Sequence, residues 1–291
     1  MTAGEIIGGR TRATSALMLL PAILVALVVV GVVPDLLQRL MRMARLDQKL
    51  NLAWQNGLIT LVLFGLLIVA ALLWGLLAQT KVLAAGRVPL KAGAMGLAIG
   101  VFGLLIATGY AALAGGLHWV YSYVNPRILL LLAGTILTFY QCAGEEIFFR
   151  GWIQPMLVRG WGRWAGVGVT SLFFALLHLF AGVVHSPLAV VNVVLAGLLF
   201  GLLAIRTGGL IAPIAAHFAW DWSEGILLGL YPNPGVDVWG SLWNLDLIGS
   251  PLWGGSAEGL NGSLGVTFVL LALCVPLAKG LIVPAPQPEA A

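Results

Sequence analysis

Long runs of apolar residues recur along the chain, and each is close to the roughly 20 residues that a helix needs to cross a bilayer. Within a run nearly every position is apolar, as in residues 58–64, whereas strands of a membrane barrel alternate apolar and polar side chains. Backbone groups in lipid must bond internally, so such runs predict helices. The sequence predicts an all-α bundle of about eight transmembrane helices, at 15–33, 58–78, 93–116, 128–153, 164–181, 187–206, 209–230 and 263–283.

The segments between the runs predict three further features of a single transmembrane domain, residues 1–291. Residues 35–55 carry apolar side chains at spacings of three and four with Arg and Lys between them, which predicts an amphipathic helix on the membrane surface or packed on the bundle as a connector. Residues 231–262 contain Asp and Glu but no Lys or Arg, which predicts an extracytoplasmic loop. The Pro-rich residues 284–291 predict a flexible tail.

The composition narrows the class of protein to one that is solvated by lipid. Of 291 residues 60% are hydrophobic and 9% are charged, and a surface so poor in charge does not suit a soluble domain. The net charge of +4 comes from scattered Lys and Arg, so it does not predict nucleic-acid binding. Their distribution predicts a multi-pass protein of the cell membrane with both termini in the cytoplasm. The first run is too long for a signal peptide and is kept as a span.

Ionisable side chains inside apolar spans are costly in lipid unless they are paired or face a cavity, so they indicate function. Apart from Arg206 and Lys279 near the ends of their spans, this chain has seven, in the fourth, fifth and seventh predicted spans. They are Glu145, Glu146, Arg150, His178, His217, Asp221 and Glu224.

The spacing of these residues predicts how they meet. Glu146 and Arg150 are four apart and share a helix face, so we expect an ion pair that leaves Glu145 to face a cavity as a general base. A turn at 160–162 makes the fourth and fifth spans an antiparallel hairpin, with Glu145 and His178 at one depth. Gly151 and Pro155 are expected to break the first arm of this hairpin. His217 lies closer to its own turn, so it reaches Glu145 only if the fourth helix bends or protrudes.

The resulting set of acids and imidazoles suits two kinds of chemistry. It can activate a water molecule and stabilise an oxyanion. It can also bind a divalent metal such as zinc, although a His-Glu-x-x-His helix is absent from the sequence; the candidate ligands are Glu145, His178, His217 and Asp221.

Other polar or reactive residues are interpreted as structural. His118 lies among Trp and Tyr residues typical of a membrane interface, and His185 precedes a predicted Ser-Pro helix start. Cys142 and Cys274 lie in apolar runs, where inert core thiols are expected. Glu224 either lines the cavity or pairs locally.

Three motifs in this order resemble those of the CPBP family of intramembrane proteases: Glu-Glu-x-x-x-Arg at 145–150, Phe-x-x-x-His at 174–178 and His-x-x-x-Asn/Asp at 217–221. The family includes CAAX prenyl endopeptidases of the Ras-converting type and bacterial Abi proteins linked to bacteriocin processing and self-immunity. The resemblance covers about residues 128–230, which would be the catalytic core. It implies an eight-helix bundle with its site in a cavity within the membrane.

The resemblance also implies a role for each residue of the motifs. Glu145 would activate water, supported by Glu146 and Arg150, and His178 would help to hold that water. His217 and Asp221 would bind the oxyanion. Because an ionised Asp only accepts hydrogen bonds, Asp221 is either protonated or orients His217.

The expected substrate is a membrane-embedded or lipidated peptide, with a prenylated CAAX-type peptide as one form, and membrane lipids are the other partner. Both a metal-dependent and a metal-free glutamate mechanism stay open. The alternatives are a catalytically idle scaffold or immunity protein of the same fold, or a transporter or haem-binding bundle with histidines as axial ligands.

Overall fold

The computed structural model describes residues 3–120, 128–233 and 239–282, and within them the chain is almost entirely helical. The predicted tail at 284–291 lies outside the described residues. The helices are α1 (Ala3–Met43), α2 (Leu52–Leu77), α3 (Pro89–Leu113), α4 (Ile128–Glu146), α5 (Gln154–Trp161), α6 (Arg163–Phe180), α7 (Pro187–Thr207), α8 (Ile211–Trp222) and α9 (Leu264–Ile282). Two π-helical turns, Ile147–Ile153 and Ser223–Leu227, follow α4 and α8.

Within the described residues, six helical segments have the length and apolar character of a membrane span. They are α1, α2, α3, the continuous segment from α4 through α5, α6 and α7. The run predicted over 209–230 forms a shorter helix, because α8 has 12 residues before its π-helical turn. The apolar run at 263–283 forms α9. The prediction of an all-α, multi-pass membrane bundle is confirmed.

The segment 35–55, predicted as an amphipathic connector, is divided between two helices. Helix α1 continues through Pro34 to Met43, and α2 begins at Leu52. Residues 35–43 contain good helix formers and no Gly, so they extend the first helix at the loss of the single hydrogen bond that Pro34 cannot donate. The short turn that remains is closed by Gln55, whose Nε2 donates to Asp47 O at 3.1 Å and Leu50 O at 2.8 Å.

Helix α3 packs most extensively against α8, the helix that carries His217. Gly96 and Gly100 of α3 lie against the α8 backbone: a Cβ atom on Gly96 would overlap the carbonyl oxygen of Ala212, and one on Gly100 would overlap that of Ala216. Small residues at this spacing let membrane helices approach closely. The position of α8 therefore depends on the absence of side chains on this face of α3.

Gly100→Ala is expected to lower the free energy of unfolding by about 1–3 kcal/mol, because the added methyl group forces α3 and α8 apart. Gly109→Ala on the same helix is the matched control, since a Cβ there has no neighbour within 4 Å. Thermal unfolding in detergent compares the two variants. Equal unfolding temperatures for both would contradict the close packing described here.

The predicted loop 231–262 is folded where the structure describes it. Strand β3 (Leu245–Leu247) pairs antiparallel with β1 (Leu117–Trp119) and parallel with β2 (Leu230–Tyr231). Two 3₁₀ turns, Pro251–Trp253 and Gly259–Gly262, lead into α9. The assignment of this segment to the outer side of the membrane stays a prediction.

Glu258 ties this loop to the start of α7. Its carboxylate accepts hydrogen bonds from the backbone N–H groups of His185 and Ser186 and from the Ser186 hydroxyl. Ser186 is the N-cap of α7 and also accepts from Ala189 N at 3.2 Å, as the Ser-Pro pattern predicted. Burial opposes the ionised form of Glu258, but the hydrogen bonds from Ser186 and His185 outweigh burial and lower the pKa of this carboxyl.

Glu258→Gln is expected to lower the free energy of unfolding by about 1–3 kcal/mol at neutral pH, since it removes the charge that these donors bind. A folded-state pKa below the ordinary carboxyl value of about 4.3 means that the stabilisation is complete above that value and is lost as the pH falls through the folded-state pKa. Unfolding temperatures of wild type and variant at pH 7 and near pH 3 check this. A difference that does not shrink in acid would contradict it.

Candidate active site

The long segment from α4 to α5 is interrupted by the π-helical turn Ile147–Ile153. Pro155 lies in the first turn of α5, where it has no N–H to donate and its ring would collide with the carbonyl of Gly151 in a regular α-helix. The wider π-helical turn accommodates both effects. The chain then reverses at Gly162, with φ at +86°, and α6 runs back along α5. The predicted hairpin and the predicted break of its first arm are both observed.

Glu146 and Arg150 form the ion pair that their spacing predicted. Arg150 Nη1 lies 3.0 Å from Glu146 Oε1, and both side chains are fully buried. Arg150 Nη2 also donates to the carbonyl of Gly197 on α7 at 2.9 Å. The guanidinium carbon lies 4.8 Å from the ring centroid of Phe174 and 5.4 Å from that of Phe200. Arg150 thus joins the fourth, fifth and sixth predicted spans.

Glu146 also orients His217, a contact that the sequence did not predict. His217 Nδ1 lies 2.9 Å from Glu146 Oε1, so the ring donates Nδ1–H to the carboxylate that already pairs with Arg150. Phe200 stacks on the imidazole with ring centroids 4.6 Å apart. These contacts fix both the plane and the tautomer of the ring. Its Nε2 atom faces Asp221 Oδ2 at 3.5 Å and Glu145 Oε2 at 4.0 Å.

His178 approaches the same oxygen of Glu145 from α6. Its Nδ1–H donates to the carbonyl of Phe174 at 2.8 Å, which leaves Nε2 as the acceptor. That Nε2 lies 4.0 Å from Glu145 Oε2. Glu145 Oε2 is buried and has no hydrogen-bond partner among the described residues. Two imidazole nitrogens thus stand 4.0 Å from one carboxylate oxygen, a separation that a single bridging water spans with bonds of about 2.8 Å.

These side chains open into a cavity of about 290 Å³ within the bundle. Most of its wall is apolar and is contributed by Phe64, Leu67, Phe149, Phe174, Leu199 and Leu270, among others. Its polar wall includes Glu145, His178, His217, Asp221, Glu224, Gln141, Asn192, Asn233 and Asn261. Five of the seven predicted residues, from three spans, therefore line one pocket, whereas Glu146 and Arg150 are not among its lining residues.

Residues 127–223 match the family model described as type II CAAX prenyl endopeptidase, Rce1-like. The matched core, 97 of 291 residues, is similar to the Rce1-like family. No curated protein and no solved structure matches the chain. The matched residues include α4 to α8 and every side chain of the three motifs. The match ends before Glu224 and Asn233, so the similarity does not extend to that part of the cavity wall.

Within the matched core, Cys142 occupies a different environment from the inert apolar one expected. Its thiol donates to Asp221 Oδ2 at 3.4 Å. Cys142 precedes Glu145 by one helical turn, and this spacing is the feature of the sequence that indicates a place for Cys142 near the site. Asp221 thus accepts from Cys142, and its Oδ2 lies 3.5 Å from His217 Nε2; its role as an orienting carboxylate or a protonated acid stays a prediction.

The same part of the structure contains candidate ligands for a metal ion. Ligand atoms of Cys142, His217 and Asp221 lie within 4.8 Å of one another, and thiolate, imidazole and carboxylate together suit zinc. Among the described residues, the group that meets this criterion contains Cys142 in place of the predicted Glu145 and His178. Glu145 lies close by, with its Oε2 4.0 Å from His217 Nε2, and His178 Nε2 lies 4.0 Å from the same Glu145 oxygen.

The remaining histidines do not belong to the pocket. His118 is exposed on β1 opposite Asp246, and His185 lies in the turn before α7. Neither lines the cavity.

Proposed function

We propose that this multi-pass membrane protein is an intramembrane endopeptidase that hydrolyses a peptide bond in a membrane-embedded or lipidated substrate, with prenylated CAAX-type peptides as one class. The Rce1-like core supports a fold of this type. The observation that carries the proposal is the unpartnered Oε2 of Glu145, which faces the Nε2 atoms of His178 and His217 at 4.0 Å each inside an apolar cavity.

The proposed reaction begins at Glu145. Its carboxylate takes one proton from a water molecule, whose second hydrogen is accepted by His178 Nε2, and the hydroxide oxygen bonds to the scissile carbonyl carbon. The C–N bond of the tetrahedral intermediate then breaks. Glu145 returns its proton to the leaving nitrogen, which gives a carboxylic acid and an amine.

His217 is proposed to stabilise the oxyanion. With Nδ1–H committed to Glu146, a His217 ring that carries both protons presents Nε2–H to the developing negative charge. Asp221 accepts hydrogen bonds and positions this ring, and Arg150 holds Glu146 in place. In this scheme Glu146, Arg150 and Asp221 are positioning residues.

The apolar wall of the cavity supports a substrate with apolar side chains or an attached lipid, since apolar surface is favourably buried there. The Lys and Arg distribution supports placement in the cell membrane with both termini in the cytoplasm. Membrane lipids are then the permanent partners of the outer surface.

A cleavage assay tests the function. The purified protein in lipid nanodiscs is incubated with farnesylated and unmodified CAAX peptides and with a set of single-span peptides, and new termini are read by mass spectrometry. We expect one or more discrete cut sites with the wild type and none with Glu145→Gln. A wild type that cuts no peptide, while its biological activity persists in the variant, would favour the scaffold or immunity alternative.

Metal-assisted hydrolysis is the second candidate, favoured by the cluster of Cys142, His217 and Asp221. A zinc ion held there would supply a Lewis acid close to Glu145. The metal-free scheme above predicts that chelators leave the cleavage rate unchanged and that Cys142→Ala changes it by less than about tenfold. If chelators abolish cleavage and the purified Cys142→Ala variant no longer contains zinc, the metal-assisted scheme replaces the metal-free one.

A further inference from the structure

Two polar side chains in the cavity wall have no part in the chemistry above. Glu224 is 3% exposed and Asn233 is 7% exposed, and both line the cavity. Glu224 Oε1 and Asn233 Nδ2 have no hydrogen-bond partner in the part of the chain that the structure describes. A buried donor or acceptor without a partner is destabilising, so these two atoms indicate a ligand that supplies the missing partners.

The backbone places Glu224 beside the reacting groups. It follows Asp221 by three residues and lies in the π-helical turn Ser223–Leu227, which widens the end of α8. Such turns are frequent at functional sites because they redirect side chains that a regular helix would place elsewhere. A bound molecule that reaches Asp221 therefore has Glu224 next to it along the same element.

The chain segment that carries Asn233 is tightly packed. It follows β2, which pairs with β3. The 3₁₀ turn at Gly259 packs on the residue before Asn233, since a Cβ on Gly259 would overlap the carbonyl oxygen of Pro232. The other side of that turn is fixed by Asn192 of α7, whose Nδ2 donates to Asn261 O at 2.8 Å. The backbone that carries Asn233 is thereby held in place, which lowers the ordering cost of binding a ligand there.

We propose that Glu224 and Asn233 bind a main-chain amide of the peptide substrate, with Glu224 Oε1 accepting its N–H and Asn233 Nδ2 donating to its C=O. The inference rests on the proposed function and adds a substrate-positioning subsite to it. A peptide amide presents one donor and one acceptor, which matches the two unpartnered atoms. A cation would leave the Asn233 donor without a partner, and an anion would meet the Glu224 carboxyl.

The apolar cavity explains why such a subsite is needed. A peptide that enters it leaves its water behind, and each main-chain group without a new partner disfavours binding. Glu224 and Asn233 replace that water for one amide. They thereby select an extended peptide over a lipid or a hydrocarbon ligand, which has no amide to offer.

Binding of backbone-modified peptides tests the proposal. The probe is a fluorescein-labelled, farnesylated CAAX peptide, together with versions in which one amide at a time is replaced by an ester, which lacks the N–H. Anisotropy gives the Kd for wild type, Glu224→Leu and Glu224→Gln, and cleavage is recorded in parallel. For the wild type, we expect the ester at one position to raise the Kd about tenfold. For the parent peptide, we expect Glu224→Leu to raise the Kd by a similar factor.

The decisive observation is whether the ester substitution and Glu224→Leu have coupled effects on peptide binding. In Glu224→Leu the sensitive ester should bind no more weakly than the parent peptide, whereas Glu224→Gln, which keeps an acceptor oxygen, should behave as the wild type does. Asn233→Leu should weaken binding about tenfold, and Asn233→Asp, which replaces the donor by an acceptor, should not restore it. Thermal unfolding checks that the variants are folded.

The outcomes separate this inference from the proposed function. Normal cleavage with no ester position coupled to Glu224 overturns the subsite and leaves the peptidase intact. Coupled binding without cleavage keeps the subsite and overturns the peptidase. A wild type that neither binds nor cuts the peptides overturns both.

Discussion

Glu145→Gln is expected to lower kcat for peptide cleavage by about 10²–10⁴-fold, the range that a general base contributes. Gln has nearly the same size and shape, so it fits between the two histidines, but its amide oxygen cannot take a proton from water. The unfolding temperature is expected to stay close to that of the wild type, because Glu145 Oε2 makes no hydrogen bond to the described residues. Steady-state kinetics and thermal unfolding measure the two effects separately.

Gln141 offers the matched control for this experiment. It lies one helical turn before Glu145 and lines the same cavity. Gln141→Leu changes the polarity of the wall without removing a base, so we expect kcat to change by less than about tenfold. Equal losses at positions 141 and 145 would show that the cavity wall, and not the Glu145 carboxylate, limits the reaction.

Arg150→Met is expected to lower the free energy of unfolding by about 3–5 kcal/mol, because it leaves the fully buried Glu146 carboxylate without its cation. It also removes the hydrogen bond to Gly197 O and the contact with the Phe174 ring. We also expect kcat to fall, since Glu146 then no longer holds His217 Nδ1 in a fixed position. Thermal unfolding and kcat of any folded fraction measure these consequences.

Two further variants show whether the loss of stability in Arg150→Met arises from the buried ion pair. Arg159→Met removes an exposed Arg from the last turn of α5 and should change stability by no more than about 0.5 kcal/mol. Glu146→Gln/Arg150→Met removes both buried charges and should recover part of the stability lost in Arg150→Met. If Arg150→Met is as stable as Arg159→Met, the buried pair does not stabilise the bundle.

Local spacing explains which parts of the site could be predicted from the sequence. The Glu146–Arg150 pair follows from a separation of four residues on one helix. The closeness of Glu145 to His178 follows from equal distances to the turn of an antiparallel hairpin. Both inferences need only helix geometry and one short connection, which the apolar runs and the glycines at 160–162 indicate.

Contacts between elements that are distant in the chain could not be predicted in this way. The bond from His217 to Glu146 depends on how α8 packs on α4, and the place of Asn233 depends on a three-stranded sheet formed by short segments. The sequence predicts an apolar core for the Cys142 thiol because its partner, Asp221, comes from a helix 79 residues further along. The first helix extends beyond the span predicted at 15–33, because a helix can continue through one proline such as Pro34.

Cleavage in H₂¹⁸O tests the central claim most directly, with wild type and Glu145→Gln side by side in nanodiscs and the products read by mass spectrometry. We predict that the wild type yields a fragment whose new carboxyl group carries one ¹⁸O atom, and that this fragment is reduced at least about 100-fold in the variant. Fragments without ¹⁸O, or equal amounts from both proteins, would contradict hydrolysis by a Glu145-activated water.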